Sequence, residues 1–182
     1  MGPDRERAAA PGFAGMARGL VAGVVGTTAM DLFWYVDHRL TGGSQSFLDF
    51  ERGATKGFDD AGAPAQVGRR VVRALTGRDL DDEHATLTSN VVHWATGASW
   101  GMALGLASAR RGRPGLASGL ALGAMAWATS YAALVPAGLY EPPWTYDPPT
   151  LARDLGSHLV FGTAVAAVLR RLGAGAGGRA RR

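Results

Sequence analysis

Two histidines and two aspartates stand out in this chain because they fall within or at the edges of its apolar stretches: His93, His158, Asp31 and Asp154. Asn90 lies one helical turn from His93, and Asp154 one turn from His158. Imidazole changes charge near neutral pH, so His93 and His158 could handle protons with Asp31 as the ionised partner. Two imidazoles and a carboxylate also suit zinc or iron, and a bis-histidine haem between two helices is a further use of the same donors. The plain alternative is a hydrogen bond between His93 and Asp31, or to backbone, that only holds helices in register. A carboxylate in a spanning helix costs about 2.5–3.5 kcal/mol at mid-membrane and less toward the ends, so any such group is a functional candidate. No Walker motif, dinucleotide fingerprint, nucleophile elbow or His-Glu-x-x-His pair occurs, so neither an enzyme nor a resident cofactor or metal is expected.

The elements that must position these residues are read from where charge is missing. The 182 residues suffice for one domain, and a mean hydropathy of +0.01 would by itself suit a soluble protein. Distribution decides otherwise. No Asp, Glu, Lys or Arg occurs in the 26 residues from His84 to Ala109 or in the 27 from Pro114 to Tyr140. About 20 apolar residues cross a bilayer core, so both runs are long enough. An all-α fold follows, a bundle of four transmembrane helices at about 13–36, 86–109, 115–139 and 151–172. The first contains the uncharged stretch Gly19–Met30, with basic residues before it as in a signal peptide. Asp31 and the aromatics Phe33, Trp34 and Tyr35 follow instead of a small-residue cleavage site, which favours a retained helix.

Segment 37–85 forms an extracytoplasmic insert. Within it Val67, Val71, Val72 and Leu75 share one helical face, with Arg69, Arg70 and Arg73 nearby, which predicts a short amphipathic helix at the interface or over the end of the bundle.

Glycine recurs every fourth position in three helices: Gly15, Gly19 and Gly23; Gly97, Gly101 and Gly105; Gly115, Gly119 and Gly123. In lipid, helix association depends on close backbone approach, which such stripes permit, within one chain or in a homo-oligomer. The motif Gly19-x-x-x-Gly23 recurs as Gly115-x-x-x-Gly119, and His93-x-x-x-Gly97 as His158-x-x-x-Gly162. Two duplicated helical hairpins of the same orientation would produce that pattern.

Trp34, Tyr35, Tyr140, Trp144 and Tyr146 fit an outer interfacial belt, whereas Trp100 and Trp127 lie deeper and fit as packing residues. The two Pro-Pro pairs at 142–143 and 148–149 stiffen the loop before the fourth helix and deny it helical structure, making it a rigid turn or a lid.

Arginines set the orientation. Arg5, Arg7 and Arg18 precede the first helix, Arg110, Arg111 and Arg113 join the second to the third, and Arg170, Arg171, Arg179, Arg181 and Arg182 follow the fourth. With four spans all of these lie on one side, accompanied there by Asp4 and Glu6, and both termini are cytoplasmic by the positive-inside rule. The expected location is a bacterial plasma membrane, the partner the lipid bilayer. The sequence pI near 10.1 is explained by these helix-end arginines without nucleic acid. There is no cysteine, which excludes disulfides and thiolate metal sites.

Pro143-Trp144, followed by Asp154-Leu155-Gly156-Ser157-His158-Leu159-Val160, resembles the YagU-like family of small bacterial inner-membrane proteins. That family also has a glycine-rich first helix, a histidine-bearing second helix and a basic C-terminal end. The family is largely uncharacterised; the resemblance implies the same architecture, draws attention to His158 and, since its best-known member is associated with survival in acid, points to a stress- or pH-related membrane protein. It transfers no reaction. The alternatives from other classes are a small oligomeric transporter or proton-coupled permease subunit built around Asp31, and a membrane metal or haem protein.

Overall fold

The computed structural model describes residues 11–53 and 57–177, and among these the chain is all-helical without strands. Four long helices carry the architecture: α1 (Pro11–Leu40), α4 (Ala85–Arg111), α5 (Leu116–Leu134) and α6 (Pro148–Gly177). Two shorter ones, α2 (Phe47–Arg52) and α3 (Ala63–Thr76), lie in the insert between α1 and α4. One helix, α1 over Gly12–Leu40, is long and apolar enough to cross a membrane by length and composition.

Glycine determines which helices meet. A Cβ on Gly101 would lie 2.4 Å from Gly19 O, one on Gly105 2.3 Å from Gly15 O, and one on Gly23 2.6 Å from Gly97 O. These are three successive rungs of an antiparallel pair in which α1 and α4 touch backbone to backbone. In the α5–α6 pair a Cβ on Gly119 would lie 2.8 Å from Gly162 O, and one on Gly123 2.3 Å from His158 O. Gly115, expected in the third stripe, has open space around it and serves as the extended residue before α5. The two pairs join where Gly26 of α1 receives Val165 and Phe161 of α6.

The helices therefore run in the spatial order α4, α1, α6, α5, with α4 and α5 barely meeting. This is an open row curled around a cleft rather than a closed bundle. The small core consists of Ala22, Met30, Leu122, Phe161, Val165 and Leu169, with Trp34 and Trp100 packed against it. Large apolar residues face outward instead, among them Leu20, Val21, Val24, Leu32, Val36, Leu116 and Met125.

Helix ends depart from expectation for local reasons. The third long helix stops at Leu134 rather than near 139. Pro136 has no N–H to continue the ladder, and Gly138, at φ +67°, turns the chain so that Leu139 N–H donates to Leu134 O at 2.9 Å. The fourth starts at Pro148 rather than 151, so the second Pro-Pro pair opens a helix instead of preventing one. Pro is suited to a first helical turn, whose N–H groups have no intrahelical partner, and Asp147 caps it by accepting from Thr150 N–H at 3.0 Å. The loop is the rigid turn before that helix, with a 3₁₀ turn at Pro143–Thr145.

In the insert, α3 is the expected amphipathic helix, and Gly68 lets it sit directly on Thr88 and Val92 of α4. The extra helix α2 begins at Ser46, which accepts from Asp49 N–H at 3.3 Å. A second small core of Phe58, Ala65 and Ala85 ties the insert to the start of α4. Arg5, Arg7, Arg179, Arg181 and Arg182, with Asp4 and Glu6, lie outside the described residues.

Candidate functional site

The cleft between α4 and α5 contains a cavity of about 420 Å³. Its walls come from all four long helices; Ala63, Pro64 and Val67 of α3 cover it, and Tyr140 completes the rim. Arg70 of α3 reaches across to donate to Ala137 O at 2.6 Å, fastening that cover to the segment after α5.

Both histidines singled out above line this cavity, each held by a different device. In the α1–α4 pair the rung beyond Gly23–Gly97 brings Thr27 against Gly97, where a Cβ would collide with Thr27 Oγ1. Asp31 stands one turn beyond Thr27 and His93 one turn before Gly97, so the next antiparallel rung joins them. Asp31 Oδ1 lies 2.8 Å from His93 Nε2. Asp31 is 7% exposed, and its Oδ2 has no hydrogen-bond partner among the described residues. With the carboxylate ionised, His93 Nε2–H is the donor, and in the neutral imidazole Nδ1 keeps its lone pair.

Asp31 faces away from the main cavity into a second hollow, which it shares with Asn90, Glu51 and Trp94. Asn90 donates to Thr86 O at 3.1 Å and belongs to this side. Burial, reinforced by the charge of Asp31, holds the Glu51 carboxyl above its ordinary range. The Asp31–His93 pair is thus a wall with one residue on each side.

In the α5–α6 pair the equivalent rung is built otherwise. Asp154 Oδ2 accepts from Trp127 Nε1 at 2.9 Å and from Tyr131 OH at 3.0 Å. His158 Nδ1–H donates to the Asp154 carbonyl at 2.9 Å and stands 3.5 Å from Asp154 Oδ1, leaving its Nε2 as the acceptor. Ser157, fully buried, donates to the same carbonyl at 2.7 Å.

The expected cluster is therefore two pairs rather than one triad: Asp31 with His93, and Asp154 with His158, opening on a shared cavity through the two imidazoles and Asp154. Among the described residues no three His, Cys, Asp or Glu side chains are placed to hold a metal ion.

Trp127, expected to fill a packing gap, is instead a hydrogen-bond donor to a carboxylate. Tyr131 and Glu51 carried no signal in the sequence reading; for Tyr131 the i, i+4 spacing from Trp127 could have supplied one. The five aromatics of the expected belt differ in their surroundings. Trp34 packs on the core, Tyr140 and Tyr146 turn inward against Tyr131, and Tyr35 meets Phe47 and Phe50, whereas Trp144 alone of the five is 82% exposed.

No family model, curated protein or solved structure matches this chain.

Proposed function

We propose that the chain is a multi-pass protein of a bacterial plasma membrane, crossing with α1, α4, α5 and α6 and keeping both ends cytoplasmic. We further propose that its cavity receives a small solute in exchange with protons handled by Asp31 and His93. The membrane reading is supported by an inside-out distribution, with glycine and alanine between helices and leucine, valine and methionine on the outer faces. Without lipid, such surfaces would drive aggregation. It is supported also by charge: the α4–α5 turn and the end of α6 lie together, with Arg113 donating to Gly173 O at 3.2 Å, and form a basic end opposite α2 and α3.

The functional reading rests on one observation above the others. His93 lines the solvent-reaching cavity, Asp31 lines the hollow behind it, and the two are hydrogen bonded at 2.8 Å. A proton shared by that pair is felt on both sides, which is what coupling requires. The resemblance to the YagU-like family, whose best-known member is associated with survival in acid, would fit the same chemistry.

The test is a proton flux. Proteoliposomes enclosing a pH-sensitive dye are challenged in turn with choline, ethylammonium, acetate and glycerol. At least one solute should produce a proton movement that Asp31→Asn abolishes. Silence with every solute, or a flux indifferent to Asp31→Asn, would remove the reading.

A further inference from the structure

The hydrogen-bond inventory of the cavity goes further than its shape. The imidazole donors and two of the hydroxyls on its walls are already used inside the protein, while the Trp34 and Trp100 indole N–H groups remain as neutral donors. His93 Nε2–H is directed to Asp31, and His158 Nδ1–H to the Asp154 carbonyl. Thr27 OH donates to Gly23 O at 3.0 Å and Ser130 OH to Ala126 O at 3.0 Å. The Trp127 and Tyr131 donors behind the wall are both spent on Asp154 Oδ2. What these groups leave unspent is acceptor capacity: Asp154 Oδ1, one lone pair on each imidazole, and the hydroxyl oxygens of Thr27 and Ser130. The Thr96, Thr129 and Tyr140 hydroxyls can act either way.

Charge points in the same direction. Among the described residues no lysine or arginine lines the cavity; the nearest guanidinium, Arg70, is committed to Ala137 O at the rim. Asp154 is in the wall and Asp31 directly behind it. The remaining surface is aromatic and apolar, from Trp34, Trp100, Phe161 and Tyr140. Aromatic faces attract cations, most strongly where water is excluded. An anion would meet carboxylates and no cationic group, and a purely apolar guest would leave the acceptors without partners.

We propose that the cavity binds a small organic cation, an ammonium with an apolar body, its positive centre among the aromatic rings beside Asp154. This rests on the cavity being a solute site, as read above. A volume of about 420 Å³ admits a compact amine rather than a peptide or lipid.

The experiment separates charge from shape. Choline and 3,3-dimethylbutan-1-ol have nearly the same form, differing by a quaternary nitrogen in place of carbon. Binding of each, and of acetate, to the purified full chain is followed by tryptophan fluorescence at about pH 8, where free imidazoles are neutral. Choline should bind at least about tenfold more tightly than the alcohol, a difference of about 1.4 kcal/mol, and acetate should not bind. Asp154→Asn should remove most of that preference while leaving the alcohol unaffected. Since Asp154 also anchors α5, Tyr140→Leu serves as a second variant, lowering choline affinity from the rim. Equal binding of choline and the alcohol, or preference for acetate, would overturn the cation assignment and leave the solute site standing. Binding of none would overturn both.

Discussion

The two helix pairs solve the same packing problem and then diverge one turn later. In α1–α4 and α5–α6 alike, glycine on each helix lets the antiparallel partners touch backbone to backbone: Gly23 with Gly97 in one, Gly119 with Gly162 in the other. Above those contacts the carboxylate changes helix. In the first pair it is Asp31, on the ascending helix, bonded to a histidine. In the second it is Asp154, on the descending helix, bonded to an indole and a phenol, while His158 turns to a backbone carbonyl. Glycine stripes thus set the distance between helices, and the chemistry above them varies without disturbing that distance. The correspondence fits a proposed duplication of one hairpin, and it also locates where the two halves stop agreeing. Gly26 of α1 lies against Val165 and Phe161 of α6. Among the described residues no comparable glycine contact joins α4 to α5, which barely meet, and the cavity opens between them.

The largest effect expected on this comparison is structural. Gly101→Val would place a side chain where even a Cβ is 2.4 Å from Gly19 O. Backbone cannot yield as a side chain can, so a loss of more than about 3 kcal/mol is expected. Thermal unfolding in detergent measures it; a variant as stable as the parent would show that the α1–α4 contact is not as described.

Next comes the difference between the carboxylates. Asp31→Asn removes the charge from a buried charge-assisted bond and should cost about 1.5–3 kcal/mol. Asp154 is the more exposed of the two, its side chain at 21% against 9% for Asp31, so Asp154→Asn should cost about half as much. Equal losses in denaturant titrations would erase the distinction drawn between the two pairs. Tyr131→Phe is smaller again. It deletes one of two donors to Asp154 and should cost about 1 kcal/mol, with Trp127 fluorescence reporting whether the remaining bond persists.

The smallest effect is a pH dependence at the edge of the first pair. Glu51 has its carboxyl raised from 4.5 by burial and then by Asp31. A raised carboxyl contributes stability that is fully present below the unfolded value and is lost as pH rises through the folded one. Glu51→Gln should therefore match the parent near pH 4 and exceed it in melting temperature at neutral pH. A constant difference at both pH values would mean that burial and Asp31 do not raise the Glu51 carboxyl.

Much of the scaffold was legible in the residues themselves. Uncharged runs marked α4 and α5, the alternation of Val67, Val71 and Val72 with arginines marked α3, and glycine every fourth position marked the faces that meet. These are local properties, read from composition and helical period. The end at Leu134 was missed because Pro136 was not read as a breaker, and the start at Pro148 because proline there was read only as one, when it also opens helices; Asp147 with Thr150 was the signal for that. The small helix α2 was missed although Ser46 and Asp49 spell out its cap.

What the sequence alone determined, then, was an all-helical chain with ionisable groups at comparable depth in three of its helices. It could not determine which of them meet, because depth along a helix is set by position and direction around it by packing. The tertiary structure decided that Asp31 finds His93, that Asp154 finds Trp127 and Tyr131, and that the two imidazoles share one cavity. The reason is steric: glycine pairs draw α1 to α4 and α5 to α6, Gly26 seats α6 on α1, and α4 and α5 are left barely meeting across the cavity.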